Sequence, residues 1–325
     1  MYLPQYLWDC SQSLWYTENS TGRNSAGIPK LHNLLIYYTE SDGENMFGKR
    51  ADGTVNKTID PIVRMTPVIM QQRCDAQVFL KTEIDCDAMT AYIHRKKAEG
   101  IKLTRMNLIV TAIMMTLKKY PELNRFIMSK KIFERNEITI SYTVLKDDLK
   151  SEATIKTSFP VNESLNVFEV AEKMQQQIAE NKVVENANFT DRLAGFFLAI
   201  PGFSSLAFSI VRGLDRLGVI PKAILDASPF HTSAYITNTA SIRLGYVYHH
   251  IYNFGTTSIF ISMGQKEEKL YMDSDNKVGV KNIIPFGFTI DERICSGSVY
   301  AKGLLFVQRL LNHPELLEHD VTAVS

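Results

Sequence analysis

Clustered cysteine is the first thing this sequence lacks. Its four cysteines, Cys10, Cys74, Cys86 and Cys295, are scattered and form no C-x-x-C pair. That excludes a disulfide scaffold and a zinc site as first expectations and favours reduced thiols in a cytoplasmic protein. An excess of one charge is missing as well. Thirty-six basic residues against 35 acidic ones leave a formal net charge of +1, so the chain as a whole is not steered toward nucleic acid or an anionic membrane. The basic run His94-Arg95-Lys96-Lys97 reads as one solvated helix face. No internal repeat and no Pro/Ala-rich linker divides the chain. Before Arg23 there is neither a basic residue nor the long apolar run of a signal peptide.

A membrane span is not expected either. Residues 193–211 carry no charge, but Pro201-Gly202 and Ser204-Ser205 sit in the middle of the stretch. These residues break or wet a spanning helix. Two helical pieces split at Pro201 are the expectation, without membrane contact.

What is present is a globular composition, 45% hydrophobic over 325 residues, ample for one large core. Residues 1–46, rich in Tyr, Asn, Ser and Gly, show no sustained period and read as an irregular arm. Asp60-Pro61 reads as a chain reversal. Residues 76–84 alternate and form a strand, followed by a helix that Asp85 or Asp87 caps. Residues 104–119 form a helix apolar over most of its circumference, hence buried between layers, and Tyr120-Pro121 ends it. Further strands are expected within 133–146 and at 233–237, 258–263 and 283–290, with helices at 166–180 and 299–311. The irregular alternation predicts an α+β domain over 47–319, a two-layer α/β sandwich with helices covering a mixed sheet. Residues 320–325 are a tail.

The most informative string is Asp291-Glu292-Arg293-Ile294-Cys295-Ser296-Gly297, placed between a strand and a helix. It resembles the D-H-R-x-x-D-G signature of the acyltransferase core of 2-oxo acid dehydrogenase complexes and the H-H-x-x-x-D-G of chloramphenicol acetyltransferases. Other elements occur in family order. Lys102-Leu103-Thr104, a buried helix and Lys119-Tyr120-Pro121-Glu122-Leu123-Asn124 resemble K-x-T, helix, K-x-x-P-x-x-N. Ala234-Tyr235-Ile236-Thr237-Asn238 resembles the F-T-I-S-N strand, and 255–264 resembles the P-Q-x-A-I-L-x-x-G strand. The match runs from Phe47 to Leu317, and no lipoyl domain or Ala/Pro linker accompanies it.

The resemblance implies a chloramphenicol acetyltransferase-like fold and transfer of an acyl group from coenzyme A, as co-substrate, to a small hydroxyl, thiol or amine acceptor. It also implies a homotrimer with sites between subunits, and no metal. Thr237 takes the place of the serine that steadies the oxyanion; its other reading is an ordinary strand residue. Glu292 replaces the catalytic histidine, either as a carboxylate base or as a structural ion-pair residue. His250, with His249 beside it in Tyr246-Val247-Tyr248-His249-His250, is a substitute proton acceptor that Glu292 would orient; His231 is a further candidate. Ser296 replaces the second Asp and is expected, with Ser298, to cap the last helix. Cys295 reads as a buried small residue. Two functions stay open: a coenzyme A-dependent acyltransferase, or a catalytically inactive homologue that keeps the fold for binding or scaffolding.

Overall fold

The helix Arg105–Lys119 has no polar face to offer water. From Asn107 to Leu117 every residue is buried, as its circumference of apolar side chains demands. Thr104 starts it with a capping box: its hydroxyl accepts from the Asn107 backbone N–H while the Asn107 side chain accepts from the Thr104 backbone N–H. Thr111 and Thr116 are buried inside it because each hydroxyl donates to the carbonyl one turn back, at 2.7 Å. Pro121 stops it.

The computed structural model describes residues 49–145, 152–163, 165–182, 203–272 and 275–321. The expected arm over 1–46, the first half of the uncharged stretch 193–211 and residues 322–325 of the tail lie outside these. In chain order the described elements are strands β1 Lys49–Arg50 and β2 Gly53–Val55, helix α1 Pro61–Ile69, strand β3 Gln77–Asp85, helices α2 Asp87–Ala98 and α3 Arg105–Lys119, and strands β4 Arg125–Met128, β5 Lys131–Arg135, β6 Glu137–Leu145 and β7 Glu152–Pro160. Helices α4 Val167–Lys182, α5 Phe203–Leu217 and α6 Lys222–Ala227 come next. Strands β8 Ala234–Asn238, β9 Ile259–Met263, β10 Glu267–Met272 and β11 Val278–Asp291 and helix α7 Gly297–Asn312 close the order. Among the described residues, no helix is long and apolar enough to cross a membrane.

Four strands make a small antiparallel sheet, β1-β2-β5-β4. The large sheet runs β10-β11-β9-β8-β6-β7, with β3 on the other edge of β11. The β6–β8 and β8–β9 pairs are parallel and the rest antiparallel, the mixed sheet expected. Alternation sorts its two faces. Ile138, Ile140, Ile236, Ile259, Ile261, Phe286 and Phe288 join residues of α2, α3, α4 and α7 in one core cluster. The intervening residues, among them Tyr235, Thr237, Phe260 and Ser262, face away from it. Over that second face runs the segment 245–254, anchored where the Val247 N–H donates to Ser262 Oγ at 2.9 Å.

Three local expectations are corrected. Asp60-Pro61 begins α1 instead of only reversing the chain: the Asp60 carboxylate accepts from the Ile62 N–H at 2.8 Å and Pro61 opens the helix, where its missing N–H costs nothing. The cap position before α2 belongs to Cys86, while Asp85 accepts from the Asp87 N–H. Ser296 does occupy the cap position of α7, but its hydroxyl meets that of Ser298 at 3.0 Å and makes no capping bond.

The loop after β11 is held by charge. Asp291 is fully buried, and its carboxylate takes a two-pronged bond from Arg293, Nε–Oδ1 at 2.8 Å and Nη2–Oδ2 at 2.7 Å. Arg73 stands 3.4 Å from the same carboxylate. Arg73 also donates to the carbonyls of Tyr252, Gly255 and Ile127, and Arg293 to that of Met70. One carboxylate thus gathers α1, β4, the 252–255 segment and the β11 end. Removing it leaves two guanidiniums buried without a counter-ion, an arrangement that costs about 3–5 kcal/mol. Asp291→Ala should therefore lower unfolding free energy in urea by that amount; a loss under about 1 kcal/mol would show that the arginines are satisfied without it.

Candidate functional site

Thr237 lies near the end of β8 on the face turned away from the helices. There it lines a cleft of about 270 Å³ with Thr143, Thr154, Tyr235, His249, Tyr252 and Phe260. The strand register builds the floor. Tyr235 and Phe260 are paired neighbours on β8 and β9, and their rings stack at 4.8 Å. The Tyr235 hydroxyl is fixed between Thr143 Oγ1 at 3.0 Å and Thr154 Oγ1 at 3.2 Å. The Thr237 hydroxyl stands in this wall half-buried.

The imidazole in the cleft is that of His249. It stacks on Phe260 with ring centroids 4.0 Å apart and planes within 7°. Its Nδ1 lies 2.8 Å from the carbonyl of His250. A carbonyl only accepts, so Nδ1 carries the proton and Nε2 keeps its lone pair in the neutral ring. Partial burial holds its pKa below the ordinary 6.5, against a smaller opposing effect of the carbonyl bond. The result is a neutral base with a set tautomer, and among the described residues Nε2 makes no hydrogen bond.

His250, the proton acceptor expected from the sequence, is exposed and does not line this cleft. It stacks on His249 and meets Tyr252 edge-on. Sequence places the two histidines side by side; only the path of segment 245–254 decides which ring turns inward. His231 is elsewhere. It is 2% exposed, with Nδ1 2.7 Å from Ser228 Oγ and Nε2 3.2 Å from Asp215 Oδ2, off the line of a hydrogen bond. Burial lowers its pKa despite Asp215. Asp215 also pairs with Arg50 at 2.9 Å, so His231 belongs to a packed polar cluster under α5.

Glu292 comes directly after β11. Its backbone N–H donates to the Ala76 carbonyl at 2.9 Å, and its side chain is exposed without a hydrogen bond among the described residues. Register places it relative to Thr237. Thr237 pairs with Ser262, and Ser262 with Gly287. Glu292 is five residues beyond Gly287 on a strand two places away. That is about 17 Å along the strands and about 10 Å across them. Within one chain the carboxylate and the hydroxyl do not meet. Cys295 is buried, and burial pushes its thiol up to about 12, so it is no nucleophile at neutral pH. Among the described residues, no group of His, Cys, Asp and Glu is arranged to hold a metal.

Comparisons with known proteins agree with this architecture. The sequence profile of the 2-oxoacid dehydrogenases acyltransferase (catalytic domain) family matches residues 62–182. The dihydrolipoyllysine-residue acetyltransferase component of the pyruvate dehydrogenase complex of Acholeplasma laidlawii is 24% identical over 251 residues, 74% of this chain and 37% of that protein. The chain therefore spans little more than a third of the length of that curated relative. Among solved structures, the cubic core of the pyruvate dehydrogenase multienzyme complex matches at a TM-score of 0.51 and 12% identity, over 79% of this chain and 88% of that one. A probable dihydrolipoamide acetyltransferase of Listeria monocytogenes matches at 0.49 and 17%, over 79% and 93%. Chloramphenicol acetyltransferase matches at 0.48 and 11%, over 80% and 99%. Over residues 62–182 the chain is thus similar in sequence to the 2-oxoacid dehydrogenase acyltransferase catalytic domains, and it shares the fold of the cubic pyruvate dehydrogenase core.

Proposed function

We propose that this protein transfers an acyl group from coenzyme A to a small hydroxyl, thiol or amine acceptor, in a homotrimer whose sites lie between subunits. The observation that carries the reading is the shared cleft of Thr237 and His249, a hydroxyl donor beside a neutral imidazole with its Nε2 lone pair unengaged. The acceptor's proton passes to His249 Nε2 as its oxygen, sulfur or nitrogen attacks the thioester carbonyl. The oxyanion of the tetrahedral intermediate accepts a hydrogen bond from Thr237 Oγ1. Collapse breaks the carbon–sulfur bond, and the departing thiolate takes the proton back from the imidazolium.

Glu292 enters from the neighbouring subunit. Its separation from Thr237 in a single chain and its unengaged, exposed carboxylate both suit a residue that finds its partner across an interface. There it faces the imidazolium that forms on His249, as the carboxylate of a triad does. Coenzyme A supplies the activated acyl group; the chain supplies proton transfer, oxyanion support and position.

Release of free thiol from acetyl-coenzyme A, assayed across a panel of small acceptors, tests the reading. His249→Gln should lower kcat by about 100-fold or more, and Thr237→Val by about 100-fold. Full activity in both variants would assign the chemistry to other residues; no thiol release by the wild type with any acceptor would favour a homologue that binds without catalysis. The pH profile has a defined sign. The active imidazole is unprotonated, so kcat/KM should rise with pH through an apparent pKa below 6.5 and stay level through neutrality. A rise centred above 7 would assign the base elsewhere. The two-subunit site makes a separate demand. His249→Gln and Glu292→Gln chains, each impaired alone, should regain activity when co-expressed, because mixed trimers contain some sites with neither substitution. Absence of recovery in verified mixed trimers counts against a shared site.

A further inference from the structure

A second cleft, of about 520 Å³, opens on the far side of the 252–255 segment, and no part of the acyl-transfer reading uses it. Arg73, Lys130, Arg212, Arg216 and Arg293 line it, and no Asp or Glu does. The chain's overall charge is close to neutral, so this concentration of one sign is local. The two sets of cations are held differently. Arg73 and Arg293 are buried and pinned beneath the cleft by Asp291 and by backbone carbonyls. One carboxylate serves both. Arg212 and Arg216 are exposed on α5, one turn apart, where like charges repel. Among the described residues, neither they nor Lys130 has a carboxylate within ion-pair distance.

The walls are built to stay in place. Lys130 stands at the β4–β5 turn, where Ser129 and Lys130 both adopt left-handed backbone, φ 49° and 64°. Non-glycine residues hold that conformation at a cost. The turn is latched to α5 by the Ser129 hydroxyl, which donates to the Arg216 carbonyl at 2.6 Å. Ile127 and Met128 give one apolar wall.

We propose that this cleft binds an organic phosphate with more than one phosphate group, of nucleotide size. Guanidinium forks fit phosphate oxygens in pairs. A ligand with a single charge would leave most of the cations unmatched. The volume is that of a small-molecule site and the surface is concave, which suits neither a duplex nor a flat membrane. The site stands apart from acyl transfer and is measured without any acyl donor.

Calorimetric titration with adenosine 3′,5′-bisphosphate, ATP and inorganic phosphate tests it. Both nucleotides should bind in a salt-dependent manner, and inorganic phosphate far more weakly. The double variant Arg212→Ala/Arg216→Ala should weaken nucleotide binding by about tenfold or more. Its thermal midpoint should not fall, since both side chains are exposed. The control Lys57→Ala removes a positive charge outside the cleft and should change nothing. Tighter binding of the bisphosphate upholds the site and marks its ligand as a nucleotide with separate 3′- and 5′-phosphates; tighter binding of ATP upholds it and marks the ligand as a 5′-polyphosphate. Absence of nucleotide binding at low salt overturns the proposal. So does an equal loss in the double variant and the control, which would reduce the effect to diffuse charge. A wild type that binds nucleotide but releases no thiol from acetyl-coenzyme A keeps this site and removes the acyltransferase reading; the reverse result does the opposite.

Discussion

A single carboxylate in the interior decides how the end of β11 is held. Asp291 has no water to share its charge, and both Arg73 and Arg293 lean on it. A buried ion is tolerated only when its charge and lone pairs are matched, and here the match draws four separate stretches of chain together. The same requirement sets what the loop can display. With Asp291 and Arg293 turned inward and Ile294 and Cys295 buried, Glu292 is the member of the triplet left facing out. The alternation of the motif is therefore a division of labour. Asp and Arg fix the loop, and the residue between them is what the loop presents.

The large sheet obeys two different constraints on its two faces. The helix side is a continuous apolar surface, and the sequence patterns that fill it are easy to read. The isoleucines and phenylalanines of β6, β8, β9 and β11 recur at alternate positions, and α3 is apolar all round, so both are legible in the sequence. The other side is polar and aromatic, covered by a segment without regular structure. Nothing periodic marks Tyr235, Phe260 and His249 as neighbours. Strand register and the course of residues 245–254 bring them together. That is why Thr237 can be picked from a strand motif, whereas the choice between His249 and His250 cannot be made. Adjacent residues in irregular backbone point in unrelated directions, and no rule of spacing assigns them.

Other elements escape for related reasons. Every residue of β10 is exposed, so it has no buried face to alternate with. The strand β4 is four residues long, too short for a period. The helix α1 begins at an Asp-Pro step, which equally announces a turn; only the residues after Pro61 distinguish a capped helix from a reversal. The arginine-lined cleft is invisible for another reason. Its cations come from α5, the β4–β5 turn, the end of β11 and the approach to β3, and in a chain of balanced charge none of those stretches is notably basic.

The pairing of β3 with β11 carries a consequence for how the molecule comes into being. Gln77 lies opposite Asp291 and Asp85 opposite Ile283, so the ladder joins stretches around two hundred residues apart in sequence. Contacts of such span are slow to form because the intervening chain must be ordered first. During synthesis β3, α2 and α3 emerge long before the strand that completes their sheet. Their shared apolar face waits uncovered until β11 leaves the ribosome. The last fifth of the polypeptide is thus what completes the ladder on β3.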